Sequence, residues 1–168
     1  LISISTFIFL SAWSFNNPVG SSPDEGLHLI GIWCNKPDSN KLCLTSNAGY
    51  LTSNKLSGLD SCYIYDADQP ANCASDKPNQ YNLSPGYVNN LYYKTLSIFI
   101  SNNFEKSVLY MRIFNVFIFS LLIFISIILL ENKILNGVLY TTLILSIPLG
   151  MYLISSINTS SWILTSST

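Results

Sequence analysis

The 168-residue chain is 49% apolar and only 10% charged, against about 25% charged residues in an average soluble domain, which argues against an ordinary cytosolic globule. Eight Lys and Arg against nine Asp and Glu leave a formal net charge of -1, so the chain has no basic footprint for a nucleic-acid backbone and nucleic acid is excluded as a partner. Residues 1–23 carry no charge, the stretch from Asp24 to Arg112 carries fifteen of the seventeen, and only Glu131 and Lys133 follow. That partition reads as membrane, aqueous loop, membrane.

Residues 1–15 are uncharged and largely apolar but fall short of the roughly 20 residues that cross a bilayer as a helix. The first residue is Leu, a charged n-region is absent, and Leu10-Ser11-Ala12 is a poor cleavage site. The stretch therefore reads as the C-terminal part of a first transmembrane helix rather than as a signal peptide, and the chain as an N-terminal fragment of a longer protein.

Residues 16–107 form one long loop holding all four cysteines, Cys34, Cys43, Cys62 and Cys73. Disulfides persist in oxidising compartments, so the loop is expected to be extracytoplasmic. The intervals of eight, eighteen and ten residues lack the paired C-x-x-C of a zinc site, and no metal is expected. Of the three connectivities open to four cysteines, easy closure of short loops favours Cys34 with Cys43 and Cys62 with Cys73. Seven of the ten tyrosines lie between Tyr50 and Tyr93, amid frequent Asn, Ser, Asp, Pro and Gly, which predicts a small irregular domain on the outer membrane face. The tyrosines have two readings: an interfacial belt with a small loop core, which is the plainer one, and stacking on a sugar ring.

Chemistry, if the chain has any, begins at Ser22-Pro23-Asp24-Glu25-Gly26-Leu27-His28. Ser22 is placed to cap a helix, Pro23 suits its first position and Glu25 completes a capping box. On that helix Leu27, Ile30 and Cys34 share one face, and Asp24 with His28 another. Acidic residues in a first turn also follow from the helix dipole alone. The dipole does not explain why two carboxylates and an imidazole stand beside a lipid boundary, where a general base would act on an extracytoplasmic hydroxyl. With one histidine in the chain, a Ser-His-Asp triad is not expected.

The next element, residues 108–130, is the strongest transmembrane candidate. Ile113 to Leu130 holds no charge, and at about 1.5 Å per residue the segment spans a hydrocarbon core of about 30 Å. Arg112 at its end reads, on the residues alone, as an interfacial snorkelling anchor. A short cytoplasmic loop, 131–134, leads to a further span over 135–157, with a kink expected near Pro148. Residues 158–168 start an extracytoplasmic Ser/Thr-rich segment. Asn115 and Ser120 are too thin a polar set for a permeation path.

The order of an apolar tail, Asn16-Asn17-Pro18 and then Ser22-Pro23-Asp24-Glu25-Gly26-Leu27-His28 resembles the bacterial membrane-protein family catalogued as domain of unknown function 2142, whose members carry Pro-Asp-Glu-x-x-His directly after their first span. Ser84-Pro85-Gly86-Tyr87, Tyr110-Met111-Arg112 and Ile147-Pro148 resemble its later landmarks in order, and Cys62-Tyr63-Ile64-Tyr65-Asp66 with Cys73 resembles its actinobacterial members. That family is similar to the multi-pass glycosyltransferases of the GT-C type, which take sugars from polyprenyl-phosphate carriers; protein mannosyltransferases show a comparable Asp-Glu element. The resemblance implies Asp24 as general base with Glu25 orienting it or the acceptor. His28 would either support the reacting groups from behind or contact the carrier phosphate, and Arg112 would contact that phosphate, for which its planar guanidinium fork is suited. No cofactor is implied.

The expected fold is thus a mainly α polytopic membrane protein of about three transmembrane helices with a disulfide-bearing extracytoplasmic loop domain. The implied partners are the lipid bilayer, a polyprenyl-phosphate sugar donor and a glycan or protein acceptor in cell-envelope assembly. GT-C enzymes close their sites with many more spans, so the isolated chain is expected to be inactive. The alternative is a non-catalytic cell-envelope component for interaction, export or transport.

Overall fold

A computed structural model describes residues 2–22, 24–36, 42–46, 49–53, 56, 68, 89–145 and 147–166. Among these the fold is mainly helical and divides into two compact units: residues 1–17 with 109–168, and residues 18–108. Cys62, Cys73, Pro23 and Ser84-Pro85-Gly86-Tyr87 lie outside the described residues.

In the first unit α1 covers Ile2–Asn16. In the second, α2 covers Glu25–Cys34, β1 Cys43–Ser46, β2 Gly49–Thr52 and α3 Leu91–Leu96. The strands pair antiparallel with Cys43 opposite Thr52 and Ser46 opposite Gly49. A disulfide joins Cys34, the last residue of α2, to Cys43, the first of β1, with Cα atoms 5.2 Å apart. The Asn90 side chain accepts the Tyr92 N–H and so caps α3. The core of this unit is conventional: Leu29, Ile30, Ile32, Trp33, Tyr92, Tyr93 and Leu96 are buried, and the Trp33 and Phe104 rings meet at 4.9 Å.

The long helix α4, Phe104–Leu129, starts in the second unit and continues into the first. Its 26 residues would measure about 39 Å, and it is the one helix among the described residues long and apolar enough to cross a membrane on its own. One face is buried, through Met111, Arg112, Asn115, Val116, Phe119, Ser120 and Ile123, at the three-to-four spacing of a helical stripe. Phe117, Leu121, Phe124, Ile128 and Leu129 on the other faces are exposed. Leu10 of α1 joins Val116, Phe119, Ile123 and Ile154 in the apolar core of this unit.

The expected span over 135–157 is not one kinked helix. Helix α5 covers Asn132–Leu145 and α6 covers Pro148–Ile154, and the axis turns by 97° between Ile134–Ile144 and Pro148–Ile154. The cause is local. A residue before proline is pushed out of the helical region, Ile147 is extended at φ -62° and ψ 153°, and Pro148 starts the new helix, where its missing N–H costs nothing. The Ser/Thr-rich end, for which the sequence offered no secondary structure, is helical over Thr159–Ser166 (α7), its first turn capped by the Asn158 side chain on the Ser160 N–H at 2.8 Å.

Several polar groups on the buried side of the first unit bond from one helix to another. The Ser3 hydroxyl donates to the Ser120 carbonyl at 2.6 Å, and the Ser14 hydroxyl is shared between the Leu10 carbonyl of its own helix at 3.0 Å and the Ser155 carbonyl at 3.3 Å. Asn115 donates to the Ser156 carbonyl at 2.8 Å and accepts from Trp162 Nε1 at 3.0 Å.

Candidate functional site

Helix α2 starts later than the capping-box pattern predicts, and in a different way. Its first residue is Glu25 and its N-cap is Asp24, which lies in the left-handed region at φ 58° and ψ 6° and makes no side-chain capping bond. Ser22 is buried with its hydroxyl unpartnered, so it caps nothing. Asp24 is the one non-glycine residue with positive φ among those described. Asp is one of the few residue types that tolerate this conformation, and it still carries a cost there.

The adjacent carboxylates have opposite surroundings. Asp24 is exposed, whereas Glu25 is fully buried and its Oε2 accepts the Gly20 N–H at 2.8 Å. Gly20 itself has φ 82°, a conformation open to a residue without Cβ. Glu25 therefore closes the turn that delivers the chain into α2. The Asp24 carbonyl accepts the His28 N–H at 3.0 Å, so the two residues stand one turn apart. Leu27 is 39% exposed, off the face that buries Ile30 and Cys34, which corrects the expected sharing of one face.

His28 is half-buried, and its Nδ1 lies 2.8 Å from the Tyr93 hydroxyl. Tyr93 is buried and comes from α3, 65 positions away in sequence. Gly31, one turn after His28, makes the approach possible: a Cβ there would stand 2.6 Å from Tyr93 Cε2. Sequence reasoning missed both residues. Tyr93 was one of seven loop tyrosines, but a lone glycine inside a helical pattern is a usable signal for close packing.

Arg112 belongs to the first unit and is no snorkelling anchor. It is 2% exposed, and its Nη1 donates to the carbonyls of Asn17 at 2.6 Å and Ser14 at 3.3 Å. These oxygens lie at the C-terminal end of α1, where carbonyls lack intrahelical partners and a cation is favoured by the helix dipole. Hydrogen bonds to these backbone oxygens hold the guanidinium inside, where snorkelling would have carried it to water. Among the described residues no three His, Cys, Asp or Glu side chains gather as a metal ion would need.

A long helix with an apolar outer face and polar groups turned inward is what a membrane protein presents to lipid. The chain belongs to the family described as "Predicted membrane protein (DUF2142)", whose model matches residues 7–168. No curated protein and no solved structure matches it.

Proposed function

We propose that the chain is part of a multi-pass GT-C-like glycosyltransferase that moves a sugar from a polyprenyl-phosphate carrier to an extracytoplasmic glycan or protein acceptor, with Asp24 as general base. The observation that carries this reading is the state of Asp24. An acid placed to stabilise a helix start would sit in the β region with its side chain on an N2 or N3 amide; Asp24 does neither, and keeps its carboxylate exposed at the cost of a left-handed backbone. Strain of this kind at a non-glycine residue clusters at working sites.

In the proposed reaction an acceptor hydroxyl oxygen attacks the anomeric carbon as the bond to the carrier phosphate breaks. The hydroxyl proton passes to the Asp24 carboxylate, and the phosphate leaves with the bonding electrons. Glu25 holds the turn through Gly20, and His28 meets the carrier phosphate. The resemblance also offers Arg112 to that phosphate, but its Nη1 is engaged by Ser14 and Asn17, so here it acts by holding the end of α1. The Cys34–Cys43 disulfide supports placing residues 16–107 outside the cytoplasm, within a multi-pass topology.

Asp24→Asn in the complete protein, expressed and inserted normally, is expected to lower transfer of label from lipid-linked sugar into envelope glycan by about 10²–10⁴-fold, the usual contribution of a general base. Retained transfer rejects the assignment. The second reading, a non-catalytic envelope protein for interaction, export or transport, is favoured by the engagement of Glu25 and Arg112 with backbone. It predicts that Asp24→Asn is silent and that changes at Tyr63 and Tyr65 release a protein partner.

A further inference from the structure

We propose that Tyr93 is a positioning residue for His28: its phenol donates to Nδ1 and fixes the imidazole in the Nε2–H tautomer, so that His28 serves the site as a hydrogen-bond donor to an anionic oxygen and not as a base. What that donor meets rests on the glycosyl-transfer reading; the tautomer does not.

The geometry places the contact at the hydroxyl, and the chemistry of the two groups gives its direction. The Tyr93 oxygen and His28 Nδ1 are 2.8 Å apart, while the ring centroids lie 5.8 Å apart with planes inclined at 49°, so the contact runs through the hydroxyl and is not a stack. A phenolic oxygen is a good donor and a weak acceptor because its lone pair is drawn into the ring. A neutral imidazole nitrogen is among the strongest neutral acceptors a protein has. Once Nδ1 accepts, the ring proton must sit on Nε2. A neutral N–H suits a phosphate oxygen, and leaves the acceptor's proton to the carboxylate of Asp24 one turn earlier.

Four features hold Tyr93 in register. It is buried at 3% exposure, and it packs edge-on against Tyr92 at 5.9 Å. The Tyr92 N–H is in turn held by Asn90 Oδ1 at 2.9 Å. Against α2, the ring rests where any other residue at position 31 would place a Cβ: 2.6 Å from Cε2, 2.8 Å from Cδ2 and 2.9 Å from Cζ. A glycine in mid-helix is otherwise unfavourable. Its presence one turn from the imidazole gives the ring its seat.

His28 is the only histidine in the chain, so ¹⁵N-histidine labelling in lipid nanodiscs reports on it alone. At a pH well above the ordinary imidazole value of about 6.5, the wild-type chain is expected to show Nδ1 as the unprotonated nitrogen and Nε2 as the protonated one, as separate signals. Tyr93→Phe keeps the ring but removes the donor, and both signals should move toward the averaged positions of an imidazole that exchanges between its two tautomers. Gly31→Ala should give the same change by displacing the ring while leaving both partners chemically intact. A wild-type spectrum with the proton on Nδ1, or a spectrum unmoved by Tyr93→Phe, overturns the proposal. A change in Tyr93→Phe without one in Gly31→Ala keeps Tyr93 and overturns the role of the glycine. The readout is the imidazole itself, so loss of the transferase reading through an active Asp24→Asn protein is a separate result.

Discussion

In the first unit the large apolar side chains of Ile4, Phe117, Ile128 and Leu143 are exposed, while Arg112, Asn115, Ser156 and Thr165 are buried; in the second Trp33, Ile30 and Leu96 are buried, while Lys36, Lys94, Glu105 and Lys106 are exposed. All the exposed large apolar side chains among the described residues belong to the first unit, except Leu27, Leu44, Leu91 and Ile98. On the proposed multi-pass reading, the inversion follows from the solvent each unit meets. Hydrocarbon gives no reward for packing leucine against leucine, so helices in it are joined by small residues and hydrogen bonds, as Ser3, Ser14 and Asn115 join them here. Water rewards apolar burial directly, at about 25 cal/mol per Å², and the second unit buries its aromatic residues accordingly.

The comparison breaks most visibly if a charge is tolerated equally on both surfaces. Phe117 is exposed near the middle of α4, and Phe117→Asp should cost about 3 kcal/mol of membrane insertion, the usual penalty for an acid at the centre of a span. Leu91→Lys, at a site 72% exposed in the second unit, should change stability by no more than about 0.5 kcal/mol. Extraction of membranes at alkaline pH and an insertion reporter check the first, and thermal unfolding checks the second. Equal tolerance at both sites would mean that α4 is a core helix lacking its partners rather than a span.

A smaller effect sharpens the account of polar burial. Arg112→Met keeps the length of the side chain but removes the donor to the Ser14 and Asn17 carbonyls at the end of α1. Thermal unfolding in detergent should register a loss of about 2 kcal/mol, the range for stripping a buried acceptor of its partner. If Arg112 served only a phosphate ligand, the melting point of the ligand-free chain would not move.

How much of this was legible follows the same division. The charge-free run from Ile113 to Leu130 announces α4, because a span is a property of one contiguous segment. Pro148 announces a disturbance, but whether a helix kinks or breaks depends on the conformation forced on Ile147, and here it breaks. Helix α7 was hidden by the poor propensities of Ser and Thr, although Asn158 supplies the cap. At the site, spacing brought Asp24 and His28 together correctly as neighbours one turn apart, since that relation is local. The capping-box pattern misled because Asp24 turns into the left-handed region, which moves the helix start and buries Glu25. Tyr93 reaches His28 from 65 positions away, and a contact of that separation is a product of the fold that no local spacing encodes.

The smallest effect divides two adjacent residues. Asp24→Asn and Glu25→Gln are the same chemical change, one carboxylate oxygen replaced by an amide nitrogen. At physiological salt the exposed Asp24 has only a screened interaction with the helix dipole to lose, so its variant should unfold within about 0.5 kcal/mol of the wild type. Glu25 is fully buried and accepts from Gly20, so its variant should lose about 1 kcal/mol as a carboxylate acceptor becomes an amide one. On the proposed reading, transfer responds in the reverse order, lowered about 10²–10⁴-fold by Asp24→Asn and retained in part by Glu25→Gln wherever the protein stays folded. If instead Glu25→Gln removed transfer without moving the melting point, the buried carboxylate would be the reacting group and the exposed one its support.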